Sequence, residues 1–112
     1  MKSCLVVDDS GVVRKVERRI EAEHAQEALE FCRKNVPDAI LLDCTLPDMP
    51  TTDLLSQIRA LPDGAKPYII YCVSENDSKD ITRAISSGAS DFILKPFNRE
   101  ELTARLAVGG IV

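Results

Sequence analysis

Four short, continuous apolar runs punctuate the chain: Cys4-Leu5-Val6-Val7, Ala39-Ile40-Leu41-Leu42, Tyr68-Ile69-Ile70-Tyr71-Cys72-Val73 and Phe92-Ile93-Leu94. Their length and their β-branched and aromatic content predict strands buried on both faces. Between them apolar residues recur at helical spacing. Ala25, Ala28, Leu29 and Cys32 fall at i, i+3, i+4, i+7, and so do Leu54, Leu55, Ile58 and Leu61. Ile81, Ala84 and Ile85 mark a further helix that Gly88 closes, and Asn98-Arg99-Glu100-Glu101 has the form of a capping box opening a last helix through Leu102 and Leu106. Ser10 is placed to cap a first helix carrying Val13, Val16 and Ile20. Strands alternating with helices predict right-handed crossovers, hence a doubly wound α/β fold with a parallel sheet between helical layers. No repeat, low-complexity tract or linker interrupts the pattern. The whole chain, 1–112, is expected to be one domain, and the tail after Leu106 is too short to form an output domain.

Composition narrows the function. The 112 residues are 45% hydrophobic and 29% charged, an ordinary balance for a globular domain large enough to hold a core without staples. The net charge is −4 and no basic run occurs, so nucleic acid and anionic membrane are not expected as partners. Cys4, Cys32, Cys44 and Cys72 are far apart, with no C-x-x-C pair, and the only histidine is His24, which argues for free thiols and against a thiolate metal site. The N-terminal apolar stretch is too short for a signal peptide or a membrane span, so a cytoplasmic protein is expected.

The polar residues that end the apolar runs carry the chemistry. Asp8-Asp9 ends the first, Asp43 the second, Ser74 the third and Lys95 the fourth. In a parallel sheet these positions share one edge, the carboxyl ends of the strands, where open α/β folds bind ligands. Three crowded carboxylates shift toward protonation unless a cation sits among them, and oxygen ligands suit a hard ion, Mg²⁺ above all. Each position alone has a plainer reading: Asp8-Asp9 as helix-opening acids, Asp43 as a turn residue, Ser74 as a cap, Lys95 as solvated surface. Their joint order at four successive strand ends is what separates a site from such coincidences.

These residues resemble the receiver domain of two-component response regulators, particularly stand-alone ones. The resemblance runs from Leu5 to about Leu106. It is carried by Leu5-Val6-Val7-Asp8-Asp9-Ser10, Ile40-Leu41-Leu42-Asp43 with Leu46-Pro47-Asp48-Met49, Val73-Ser74, Gly88-Ala89 and Phe92-Ile93-Leu94-Lys95-Pro96-Phe97. It implies a flavodoxin-like receiver fold in which Asp43 accepts a phosphoryl group from a histidine kinase or histidine phosphotransfer protein. It further implies that Asp8, Asp9, Asp43 and the Thr45 backbone carbonyl hold Mg²⁺, that Lys95 pairs with the phosphoryl group, and that Ser74 and Phe92 form the switch. Lys95-Pro96 is then a candidate cis peptide, and Thr45 and Asn76 are side chains that influence water access to Asp43. The implied role is signalling to a downstream protein rather than enzymatic turnover. Two alternatives remain open: a receiver-like binding module that is not phosphorylated, and an Asp-nucleophile phosphohydrolase. The second needs an Asp-x-Asp motif where this chain has adjacent Asp8-Asp9. The expected output face carries Lys79, Arg83, Ile93 and Arg99, with Ile93 as its exposed apolar position.

Two departures from the family stand out. Pro50-Thr51 replaces the usual Asp-Gly, which predicts an altered or strained loop after Asp43, with Thr52 and Asp53 capping the next helix. The stretch from Asp9 to Asp43 is also about ten residues shorter than in comparable receivers. Ile20 runs straight into Glu21-Ala22-Glu23-His24-Ala25, so the second strand is expected to be absent, or a segment to be lost between Ile20 and Glu21 with a break or distorted join there. Absence of that strand would leave the first strand as an edge and favour a dimer.

Overall fold

The structure, a computed structural model, describes residues 4–7, 19–22, 24–74 and 77–111. In chain order its elements are β1 (Cys4–Val7), β2 (Arg19–Ala22), α1 (Ala25–Lys34), β3 (Ala39–Asp43), α2 (Thr51–Arg59), β4 (Tyr68–Val73), α3 (Ser78–Ser87), β5 (Asp91–Leu94) and α4 (Arg99–Val108). The strands form one parallel five-stranded sheet in the order β2-β1-β3-β4-β5. All four apolar runs are strands, as their continuous hydrophobicity demands of a sheet covered on both faces.

The second strand is present, which overturns the expectation that it is absent or that the chain is broken at Ile20-Glu21. Both residues lie inside β2, with Leu5 paired to Ile20 and Val6 to Glu21. Arg19-Ile20-Glu21-Ala22 alternates polar with apolar, the signature of an edge strand, but over four residues that period of two is easily confused with the last turn of a helix. Ile20 is therefore not a helical residue; Ser10, Val13 and Val16 lie outside the described residues. With β1 between β2 and β3, β1 is not an edge, and the reason for expecting a dimer disappears with it.

Side-chain alternation along the strands splits the core in two. Leu5, Ile40, Leu42, Ile69, Tyr71 and Val73 face the layer of α1, α2 and α3, whereas Ala39, Leu41, Ile70, Cys72 and Ile93 face α4 through Leu102 and Leu106. Ala25, Ala28, Leu29 and Cys32 are buried on α1 and Leu54, Leu55 and Ile58 on α2, as their spacing predicts, but Leu61 falls beyond the end of α2, and on α3 only Ala84 is buried, Ile85 being 43% exposed. Asn98 caps α4 by accepting from Glu101 N at 2.8 Å, and Gly88 ends α3 at a φ of 126° that only glycine adopts without strain.

At the amino ends of the strands, Arg59 staples three segments. Its Nε donates to Gly88 O at 2.9 Å, one terminal nitrogen donates to Gly64 O and Pro67 O, each at 2.9 Å, and the other to Ser90 Oγ at 3.2 Å. Burial draws its pKa below the usual arginine value. Among the described residues no helix is long and apolar enough to cross a membrane.

Candidate functional site

The sheet order reverses between β1 and β3, because β2 lies on one side of β1 and the later strands on the other. In open α/β sheets ligands bind outside the carboxyl ends of the strands at such a reversal. Asp43 is the last residue of β3 at this switch point, and its backbone neighbours fix it on both sides. Cys44 N donates to Cys72 O at 2.9 Å, extending the ladder to β4, and Thr51 Oγ1 donates to Asp43 O at 2.9 Å.

Lys95 follows β5, its N donating to Val73 O at 2.7 Å, and the Lys95-Pro96 bond is cis, as the family resemblance implied. Its Nζ lies 3.0 Å from Asp43 Oδ1, in an ion pair whose side chains are only 20% and 13% exposed. Residues far apart in sequence are thus brought into contact as the strand-end pattern required. Ser74 follows β4 at the same edge, exposed. Thr45 is exposed in the loop after Asp43, its Oγ1 3.8 Å from Cys44 Sγ.

Asp8, Asp9 and Asn76 lie outside the described residues. Val7, which immediately precedes Asp8, is paired in register with Leu42, which precedes Asp43. Among the described residues no cluster of three metal-ligating side chains occurs. What the described part offers is the Asp43 carboxylate, an oxygen donor of the kind a hard divalent ion such as Mg²⁺ takes.

Phe92 is half-buried on β5, directly across from Tyr71 on β4 and packed against the α1–α3 side of the core. The Arg105 guanidinium stands 6.0 Å over its ring, near enough for cation–π attraction, while reaching Asp91 Oδ2 at 3.5 Å. The neighbouring residue corrects the expected output face. Ile93 is 2% exposed beneath α4, and the exposed apolar position of β5 is Leu94, at 38%. Lys79 and Arg83 are exposed on α3, and the Arg99 side chain lies outside the described part.

The loop after Asp43 also departs from expectation. Helix α2 begins at Thr51, with Pro50 in the cap position, so Thr52 and Asp53 do not cap it. Asp63 is the only non-glycine residue with positive φ among those described, so Thr51 carries no left-handed strain. Its hydroxyl instead closes the loop onto Asp43.

Two polar pairs near the site went unread in the sequence. Tyr71 sits in an apolar run, yet its hydroxyl donates to the Asp80 carboxylate on α3 at 3.0 Å. Burial, with Asp80 beside it, pushes its pKa far above the ordinary phenol value. A buried tyrosine requires such a partner, which was the available signal. Asp48 accepts from Ala25 N at 2.8 Å and Gln26 N at 3.0 Å, at the start of α1. The third helix is capped by Asp77, not Ser74: Asp77 Oδ1 accepts from Lys79 N at 3.0 Å.

Comparison with known proteins agrees with this arrangement. Residues 4–107 match the family model of the response regulator receiver domain. The chain is 31% identical to chemotaxis protein CheY of Thermotoga maritima, over 94% of each chain, and 33% identical to CheY of Listeria monocytogenes, over 95% of this chain and 96% of that one. A two-component response regulator from Clostridium difficile superposes with a TM-score of 0.86 at 25% identity, over 97% of this chain and 95% of that one. The receiver domain of sensor histidine kinase PA1611 from Pseudomonas aeruginosa does so with a TM-score of 0.83 at 26% identity, over 97% and 98%; that structure has a magnesium ion coordinated in its active-site cleft.

Proposed function

The chain belongs to the response regulator receiver domain family, and from that premise we propose that Asp43 is its phosphoacceptor. The observation that supports this reading most is the Asp43–Lys95 ion pair at the switch point of the sheet. A carboxylate attacks a phosphoryl group poorly because both are anionic, so the site has to supply positive charge and hold an in-line geometry. Lys95 supplies one charge from the β5 side. Mg²⁺ held by Asp8, Asp9, Asp43 and the Thr45 carbonyl would supply more.

The donor is a phosphohistidine on a histidine kinase or phosphotransfer partner. An Asp43 carboxylate oxygen forms the new P–O bond as the P–N bond breaks, and the electron pair leaves on the imidazole, which takes up a proton. Hydrolysis of the acyl phosphate later returns the carboxylate and inorganic phosphate. While it lasts, the phosphoryl oxygens attract the Lys95 ammonium and the Ser74 hydroxyl. Movement of Ser74 frees space for Phe92, which lies half-buried across from Tyr71, and so biases a two-state surface formed by α3, β5 and α4. A protein target reads that surface, and the exchange takes place in the cytoplasm.

The family is one of signalling proteins, and neither the phosphohydrolase nor the non-phosphorylated module is favoured. The test is incubation with Mg²⁺ and acetyl phosphate, followed by mapping of the modified residue. A single aspartyl phosphate at Asp43, lost in Asp43→Asn, is the expected result. Labelling that persists in that variant refutes the assignment.

A further inference from the structure

Helix α1 opens without a cap of its own. His24 occupies the N-cap position with extended backbone but makes no side-chain cap hydrogen bond. The first N–H groups of a helix have no partner within it. Here the N–H groups of Ala25 and Gln26 donate to the two carboxylate oxygens of Asp48, from a loop more than twenty residues further on. That loop, residues 44–50, joins Asp43 to α2. Its ends are drawn together by the Thr51 hydroxyl on Asp43 O, and Cys44 is bound to β4. Pro47, between Thr45 and Asp48, fixes one φ angle of the short path that joins them, and Pro50 fixes another between Asp48 and α2. The far end of the tether is rigid, since α1 buries Ala25, Ala28, Leu29 and Cys32 in the core.

We infer that Asp48 is a positioning residue for phosphoryl transfer: by tying the loop to α1, it holds the main chain beside Asp43 in the geometry the reaction uses. The inference rests on Asp43 being the acceptor and extends it to a residue that touches neither phosphate nor donor. The cap stabilises α1 as well, and the two effects separate by supplying α1 with a cap that is not attached to the loop. His24→Asp does this, because an aspartate at the N-cap position accepts from the same helix's N–H groups.

The experiment compares wild type, Asp48→Asn, Asp48→Ala and the double variant Asp48→Ala/His24→Asp. It measures melting temperature, labelling rate with acetyl phosphate, and amide hydrogen exchange of residues 44–46. Asp48→Ala is expected to slow labelling about tenfold, in line with the sensitivity of transfer to small misplacements, and to speed exchange in the loop. Asp48→Asn, which keeps one acceptor oxygen, falls between. The double variant regains the melting temperature yet keeps slow labelling and fast loop exchange. Recovery of labelling together with stability in the double variant would show a purely structural cap and overturn the inference, as would wild-type labelling in Asp48→Ala. If wild type is not labelled on Asp43 at all, the acceptor assignment is what fails. Loop exchange unchanged in Asp48→Ala refutes the tether whatever the labelling shows.

Discussion

Replacing Arg59 with alanine removes a staple far from the chemistry, and its cost follows from the geometry. Three hydrogen bonds of 2.9 Å run from the guanidinium to the carbonyls of Gly64, Pro67 and Gly88, with a longer one to Ser90 Oγ. A hydrogen bond with a charged partner contributes about 1.5–3 kcal/mol, so the three short ones bound the loss at roughly 4.5–9 kcal/mol. Bonds from one side chain are not additive, and Gly88 and Ser90 lie near enough to solvent to regain water, which places the expected loss at about 3–4 kcal/mol. For a domain of this size that is a fall in Tm of about 12–16 °C. Urea unfolding followed by circular dichroism should show the midpoint lower by about 2 M with an unchanged slope. Arg59→Lys keeps the charge and the stem but not the fork, and should recover less than half of the loss. Gly88→Ala gives a second reading of the same contact, since a Cβ at Gly88 would stand 2.6 Å from Arg59 Cγ. In the Arg59→Ala background that collision is gone and only the cost of the positive φ remains, so Gly88→Ala should be less damaging there. Labelling of Asp43, at the opposite edge of the sheet, should be unchanged at temperatures where the variant is folded. A midpoint shift under about 0.5 M, or full recovery by lysine, would refute the reasoning.

Lys95→Met removes the cation 3.0 Å from Asp43 and should slow labelling by acetyl phosphate about 10²-fold, the usual cost of losing one charge-stabilising donor; a wild-type rate would take Lys95 out of the mechanism. The N–H groups of Ala25 and Gln26 hold the Asp48 carboxyl below its ordinary value of 3.8. A carboxyl with a depressed folded pKa adds stability that is complete above the unfolded pKa and is lost as pH falls through the folded one. Melting temperatures below about pH 4 should therefore drop more steeply for wild type than for Asp48→Asn, and parallel acid limbs would contradict the hydrogen-bonding. Burial pushes the Cys32 thiol up to about 11, whereas Cys44 is half-buried at the site; iodoacetamide at pH 8 should therefore modify Cys44 well before Cys32, and equal rates would show that α1 opens readily.

The parts of this fold that the sequence made legible are those whose burial leaves a periodic or continuous mark. Strands β3, β4 and β5 place side chains in both halves of the core and so read as unbroken apolar runs, and the polar residue after each run lies at the carboxyl edge of the sheet. Asp43 and Lys95 could be assigned to one site because parallel topology brings successive strand ends together, and their contact follows from it. Strand β2 hid because it lies at the sheet edge and has four residues, whose alternation of polar and apolar is too brief to distinguish from a helical stripe. The same continuity that revealed β5 concealed its facing. In Phe92-Ile93-Leu94 every residue is apolar, so only the placement of α4 over Ile93 decides which neighbour meets solvent.

Polar partners that are main-chain groups leave no trace at all. Arg59 ends α2 where a basic side chain complements the helix dipole anyway, and nothing in the residue types of Gly64, Pro67 or Gly88 announces that their carbonyls converge on it. Helix α1 shows half of such an arrangement. The histidine at its N-cap position is a visible deficit, because the N–H groups of the first turn must be satisfied by something, whereas Asp48 in a proline-flanked loop looks like an ordinary turn residue. A poorly capped helix beside a site-bearing loop therefore carries information that a well-capped one does not. Its first turn has to be completed by another element, and in a parallel α/β fold the loops within reach of a helix N-terminus are those at the carboxyl edge of the sheet. The weakness of the local cap is thus what allows the helix to be joined to the loop after Asp43, and a serine or aspartate at position 24 would have removed the need for that join.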